Sequence, residues 1–266
     1  MADAALGSSV HQAVQYVLED GASWITIADG DSGNALGIDT VAALLGAVRR
    51  ARSDQAKVIV IRSEGRFFCV GGDIRGFSAA ADIEAFVDDS ADAFHRVVSE
   101  LVESTAIVVT VVQGMAAGAG VPLAAAGDAV VAGASASFSL GYTNLGFSFD
   151  GGTSLMVHSL GLHRMLRLAL LNDVLTADEA CAGGLVAKVF ADADLEVGVG
   201  ELVRRLANGP AEAQATAKRL LRTVAEPAPE AALRHETLGI RATAASDDGR
   251  EGVAAFMEKR RPTFRS

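Results

Sequence analysis

The chain is poor in cysteine and in basic charge, and it lacks a long unbroken apolar run. Its two cysteines, Cys69 and Cys181, stand far apart and outside any C-x-x-C spacing, which argues against a disulfide framework or a zinc knuckle and fits a reducing cytoplasm. Lys and Arg number 23 against 33 Asp and Glu, a formal net charge of -10. With no Lys/Arg-rich run to supply a basic footprint, nucleic acid is not an expected partner. The opening MADAALGSSV has neither a basic n-region nor a long apolar stretch, and the most apolar segments, such as QGMAAGAGVPLAAAGD, are broken by Gly, Pro and Asp. Neither a signal peptide nor a membrane span is expected. His95, His158 and His163 fall in helical stretches without metal-ligand spacing and read as surface or packing residues; no metal is expected.

What is present is enough apolar residue, 50% of 266, for one large core with a small appendage. Two β-like runs, 12–18 and 23–28, flank Glu19-Asp20-Gly21 and predict a hairpin. Asp39 is the expected cap of an amphipathic helix with Val41, Leu44, Leu45 and Val48 on one face and Arg49, Arg50 and Arg52 in its last turn. KVIVIRS is too apolar and β-branched for a surface strand, so it belongs inside a largely parallel sheet. A helix over 82–104, a buried strand Ile107–Val112, a Gly-rich turn, a short Ala-rich helix and a strand Asp128–Val131 repeat the theme, without a fixed period. From Thr176, with Glu179 completing a capping box, the chain reads as mostly helical: GPAEAQATAKRLL, a PAP break, then helices ending at EKRRPTFRS. The expected division is a core over 1–200 and a helical region over 201–266, whose Leu220, Leu221 and Phe256 suit packing on a neighbouring subunit.

Two segments carry the chemistry. Phe67-Phe68-Cys69-Val70-Gly71-Gly72-Asp73-Ile74 follows the strand KVIVIRS directly. Paired glycines there make a turn, and they also allow a peptide N–H to be pointed at a ligand carbonyl. Cys69 has no nearby histidine and an apolar setting, so it reads as packing. Gln113 through Leu123 again follows a buried strand and starts a helix with Pro122 in its first turn. A dinucleotide fingerprint would need glycine at Leu123, which excludes the Rossmann reading.

Together with NAL at 34–36, ASFSLGYTNLGFSFDGGTS, LTADEACAGGLVAKV, ATAKRLL and SDDGREGVAAFMEKRRPTF, these segments resemble, in order and over nearly the whole chain, the crotonase or enoyl-CoA hydratase/isomerase superfamily. The resemblance implies an α/β fold with a ββα superhelical core and a helical C-terminal region, assembled as trimers or dimers of trimers. It implies an acyl-CoA thioester as partner, with oxyanion donors at Gly72 and Ala119 and no permanently bound cofactor, since the substrate itself carries coenzyme A. Phe68, Val70, Ile74, Pro122, Tyr142 and Phe147 are the implied substrate-binding residues. Arg75 and Lys259, with Arg260 beside it, are candidates for the coenzyme A phosphates or ribose.

The reaction is narrower than the family. Pro122 and Tyr142 stand where the resemblance would place the two hydratase glutamates; proline cannot titrate and tyrosine titrates far from neutral pH. Asp150, in GFSFDGGT, matches the acid of the GLSPDGG segment in the isomerase branch, although an Asp before Gly-Gly is on its own an ordinary turn or cap residue. The expectation is an enoyl-CoA isomerase in which Asp150 moves a proton from one carbon to another while the two N–H groups hold the enolate oxygen. Phe138, Phe147 and Phe149 are expected to exclude water around it or simply to pack in the core. The alternatives are a hydratase using another acid, a dehalogenase or hydrolase with Asp150 as nucleophile, as in the 4-chlorobenzoyl-CoA dehalogenase branch, and a non-catalytic acyl-CoA-binding protein.

Overall fold

A computed structural model describes residues 13–225 and 229–264. MADAALGSSV, the expected start of the first strand at Gln12, most of the PAP break and the last two residues of EKRRPTFRS lie outside the described residues. The chain opens with the hairpin β1 (Val14–Glu19) and β2 (Ala22–Ile27), closed by Asp20 and Gly21, both at positive φ, the twist-matched two-residue turn that a D-G pair favours. Helix α1 (Ile38–Ser53) follows. Its N-cap is Gly37, not Asp39; Asp39 lies in the first turn, where its charge still opposes the helix dipole. Val41, Leu44 and Val48 are buried as their spacing predicts.

Three ββ units then stack. Strand β3 (Val58–Ser63) leads to β4 (Phe67–Cys69), and helices α2 (Ile74–Ala79) and α3 (Ile83–Glu103) return the chain. Strand β5 (Ile107–Val112) leads to β6 (Met115–Ala117) and the short helix α4 (Gly120–Ala125); β7 (Ala129–Gly133) leads to β8 (Ser137–Ser139). First strands pair parallel with first strands in one sheet, ordered β1-β2-β3-β5-β7 and closed at its far edge by a later strand, β10 (Lys188–Phe190). Second strands pair parallel with each other in a smaller sheet, β4-β6-β8, with the two-residue β9 (Leu175–Thr176) at its edge. This is the expected ββα superhelix. No fixed period was visible because the helical returns differ greatly in length: α2 and α3 lie between the first two units and six-residue α4 between the next.

The helices α5 (Val157–Leu160), α6 (Leu162–Leu170) and α7 (Ala177–Ala182) follow, the last capped by Thr176 and Glu179 in a complete capping box. Helix α8 (Leu195–Ala207) covers the outer face of the large sheet, where Leu195, Val199 and Val203 pack with Val58, Val60, Val109 and Val131. Residue 200 therefore falls inside a helix that packs on the core sheet. Beyond it, α9 (Ala211–Ala225), α10 (Pro229–Ala244) and α11 (Asp247–Met257) complete the helical C-terminal region. Helix α10 folds back onto α3, and α11 onto α2. Helix α9 is tied down by the amine of Lys218, which is buried and reaches the Leu101 and Ala106 carbonyls and, at 2.8 Å, Asp128. No helix among the described residues is long and apolar enough to cross a membrane.

Candidate active site

The first half of the site comes from strand register. Because β4 and β6 lie side by side and parallel, with Phe67 opposite Met115 and Cys69 opposite Ala116, their C-terminal turns emerge together. Gly71 sits at φ +101°, and a Cβ there would lie 3.0 Å from the Ala117 carbonyl and 3.3 Å from the Ala119 nitrogen. The turns touch, and only glycine permits both that backbone and that approach. The NAL segment pins the first turn: Asn34 donates through Nδ2 to the Glu64 and Phe67 carbonyls, each at 2.8 Å, and the Leu36 N–H donates to the Gly71 carbonyl at 2.8 Å. The second turn is pinned by the Gly118 N–H, which donates to the Ser139 carbonyl on β8 at 3.0 Å. Among the described residues the N–H groups of Gly72 and Ala119 have no protein acceptor. Two half-buried donors on touching turns are what a carbonyl oxygen that gains charge requires.

Cys69 lies beneath this junction. It is fully buried, a Cβ at Gly120 would lie 2.8 Å from its own Cβ, and burial pushes its thiol up to about 12. It packs the turns together and does not act as a nucleophile.

The second half surrounds Asp150, whose side chain is 11% exposed. It lies in an irregular segment between two 3-10 turns, Tyr142–Leu145 and Thr153–Met156. Gly151 and Gly152, both at positive φ, follow it. A Cβ on Gly151 would run into the Phe94 ring and lie 3.2 Å from Pro122 Cγ, so the Asp150 turn is wedged between α3 and the first turn of α4. The Asp150 carbonyl accepts from the Thr153 hydroxyl at 2.8 Å and the Tyr142 hydroxyl at 3.3 Å. From α10 the carboxylate of Glu236 accepts the Gly152 N–H at 2.7 Å and the Ser154 N–H at 2.6 Å. Burial raises the Glu236 carboxyl above its ordinary range, opposed by the bonds from Ser154 and Gly152. From α3, His95 Nε2 stands 2.8 Å from Asp150 Oδ1.

His95 is therefore no mere surface or packing residue, which corrects the expectation from sequence. Its signal was present: it sits one helical turn from the buried Ala91 and Val98 on α3. Glu236 was missed as well, although it interrupts an apolar stripe of Leu233, Ile240 and Ala244 on α10. Both lie far from Asp150 in sequence, and only the fold-back of α3 and α10 brings them to it.

The implied binding residues divide. Phe68 and Phe138 are buried in the core, at 0% and 1% exposed. Phe147 is also buried, its ring tilted against Phe77 at 5.3 Å, and Phe94 of α3 is a further aromatic that meets the Asp150 turn. Tyr142 is buried, and burial followed by the nearby Asp150 charge holds its phenol well above its ordinary value, so it stays neutral. Pro122 is buried, Ile74 is half-buried at the start of α2, and Val70 is exposed beside the glycine turn. Arg75 on α2 and Lys259 just past α11 are exposed, and the two helices pack against each other.

The whole chain has relatives. The sequence profile of the enoyl-CoA hydratase/isomerase family matches residues 18–266. The chain belongs to this family, within the crotonase superfamily. A probable enoyl-CoA hydratase of Rhodobacter capsulatus is 33% identical over 96% of this chain and 98% of its own length. A 1,2-epoxyphenylacetyl-CoA isomerase of Escherichia coli is 32% identical over 80% of this chain and 82% of its own. The crystal structure of an enoyl-CoA hydratase from Mycobacterium avium subsp. paratuberculosis superposes with a TM-score of 0.87 at 33% identity, covering 96% of this chain and 99% of that one. This crotonase-superfamily chain is thus an acyl-CoA enzyme by family, while the reaction rests on the residues at its own site.

Proposed function

We propose that this crotonase-superfamily enzyme is an enoyl-CoA isomerase that shifts a double bond from the β,γ to the α,β position of a thioester. Asp150 removes a proton from Cα, the N–H groups of Gly72 and Ala119 hold the enolate oxygen, and the proton is returned at Cγ. One donor of this kind is typically worth about 3 kcal/mol. The observation that carries the reading is the fate of the nearby acids. Pro122 cannot titrate, Tyr142 is held neutral, and Glu236 has both oxygens engaged by backbone N–H groups. Asp150 alone keeps a carboxylate oxygen, Oδ2, without a protein partner among the described residues. A single shuttling acid suits an isomerisation, which moves a proton without adding water, and the Escherichia coli relative bears an isomerase name.

Arg75 and Lys259 are assigned to the coenzyme A end, and the exposed Leu220, Leu221 and Phe256 to contacts within a homotrimer or dimer of trimers. Coenzyme A thioester chemistry and a free, exposed Cys181 suit the cytoplasm. The test is product analysis with matched α,β- and β,γ-enoyl-CoA thioesters. Asp150→Asn is expected to lose about 10²–10⁴-fold in kcat while still binding coenzyme A thioester. Full turnover by that variant would sink the assignment.

The His95–Asp150 contact supports a second reading, that Asp150 displaces a leaving group such as halide from a substrate carbon to form an ester, and His95 activates the water that attacks the ester's acyl carbon and releases the product. Single turnover in H₂¹⁸O separates the two: the nucleophile reading places ¹⁸O in the Asp150 carboxylate, and the isomerase reading leaves it unlabelled.

A further inference from the structure

We propose that His95 relays protons between Asp150 and solvent through a groove between α3 and α10, so that the proton removed from the thioester is exchanged with water rather than conserved. The inference rests on the isomerase reading and adds a route to it. The groove is a cavity of about 550 Å³, and His95 lines it together with Asp92, Arg96 and Ser99 of α3 and Arg234 and Thr237 of α10. The charged side chains along it bind water. The imidazole has its Nε2 2.8 Å from Asp150 Oδ1 and remains 12% exposed, so one residue touches both the acid and the groove.

The other neighbours of the Asp150 turn do not provide this route. Both Glu236 oxygens accept backbone N–H groups, and the Tyr142 hydroxyl donates to the Asp150 carbonyl oxygen, not to its carboxylate. Among the described residues, His95 is the one titratable side chain bonded to the Asp150 carboxylate.

The step balances simply. Asp150 takes a proton from Cα and becomes a neutral acid. It passes that proton to Nε2 of the tautomer that carries its hydrogen on Nδ1, and Nδ1 releases that hydrogen to groove water. The reverse transfer then brings a solvent proton to Asp150, which delivers it to Cγ. Substrate loses one proton and gains one, and nothing is oxidised. His95 touches no substrate atom in this scheme, so it is a positioning and relay residue.

The experiment follows a β,γ-enoyl-CoA in D₂O and reads deuterium in the first-formed product by mass spectrometry. Wild type is expected to place solvent deuterium in the product. His95→Gln keeps a donor towards Asp150 but cannot relay a proton, and it is expected to retain thioester binding and part of its turnover while solvent label per turnover falls about tenfold or more. Equal labelling in wild type and His95→Gln would overturn the relay. So would unlabelled product from wild type, a result that does not depend on the variant folding, and either would leave the isomerase reading standing. If wild type exchanges Cα protons without shifting the double bond, and the exchange depends on His95, the isomerase reading fails and the relay survives. Neither exchange nor shift would end both.

Discussion

The turns that present Gly72 and Ala119 are held by their own strands, whereas the turn that presents Asp150 is held by helices distant in sequence. In the first region the restraints are the β4–β6 register, the Gly118 bond to β8 and, from the segment between β2 and α1, the Asn34 and Leu36 bonds. In the second, Phe94 and His95 arrive from α3 and Glu236 from α10. Under the proposed reading, a site built this way ties thioester recognition to the turns after the strands and leaves the chemistry to an irregular segment braced by α3 and α10.

Damage to the strand-built half is expected to be largest. Gly71→Ala places a side chain at φ +101° and 3.0 Å from the Ala117 carbonyl. It should cost about 2 kcal/mol of stability and, by parting the two donors, about 10²–10³ in kcat. At Gly72 an added Cβ would meet only Phe77, at 3.8 Å, so Gly72→Ala should fold normally and lose activity alone. Thermal melts beside steady-state kinetics on both variants check this. A Gly71→Ala enzyme with wild-type kcat would show that donor spacing does not matter here.

The helix-built half should fail more gently and with a pH signature. Glu236→Ala orphans the Gly152 and Ser154 N–H groups, at about 1–3 kcal/mol for each buried donor left unmade. It should lower kcat through the placement of Asp150. Glu236→Gln keeps one acceptor oxygen and should rescue part of both. Because burial raises the folded carboxyl of Glu236 above its ordinary 4.5, the folded state holds its proton more tightly than the unfolded chain. Its contribution is then fully present below about 4.5 and is lost as pH rises through the folded value. The melting temperature of wild type should therefore fall relative to Glu236→Gln as pH rises through that window. A constant difference would mean that Glu236 is not perturbed.

The same contrast explains what could be read from sequence. The strands were legible because KVIVIRS and Ile107–Val112 carry buried, β-branched runs, and the glycine turns because they follow those strands immediately. The hairpin, the capping box and the resemblance along the chain were legible for the same local reasons. The role of His95 was not, because a histidine beside a buried helical stripe has no visible partner until α3 crosses Asp150. Phe68 adjoins the glycine turn in sequence, and its side chain is fully buried in the core beside that of Cys69.

The smallest expected effect tests whether the two halves meet at Tyr142. It occupies one of the hydratase acid positions implied by family resemblance, yet in the fold it packs in the core and donates to the Asp150 carbonyl at 3.3 Å. Tyr142→Phe removes that long hydrogen bond and leaves the ring, which should cost about 0.5–1.5 kcal/mol. Since burial keeps the phenol protonated, no proton passes through it, and the pH dependence of kcat should be unchanged. A shifted pH profile in Tyr142→Phe would instead make the phenol a participant in the proton transfer and remove Asp150 from its position as the sole acid.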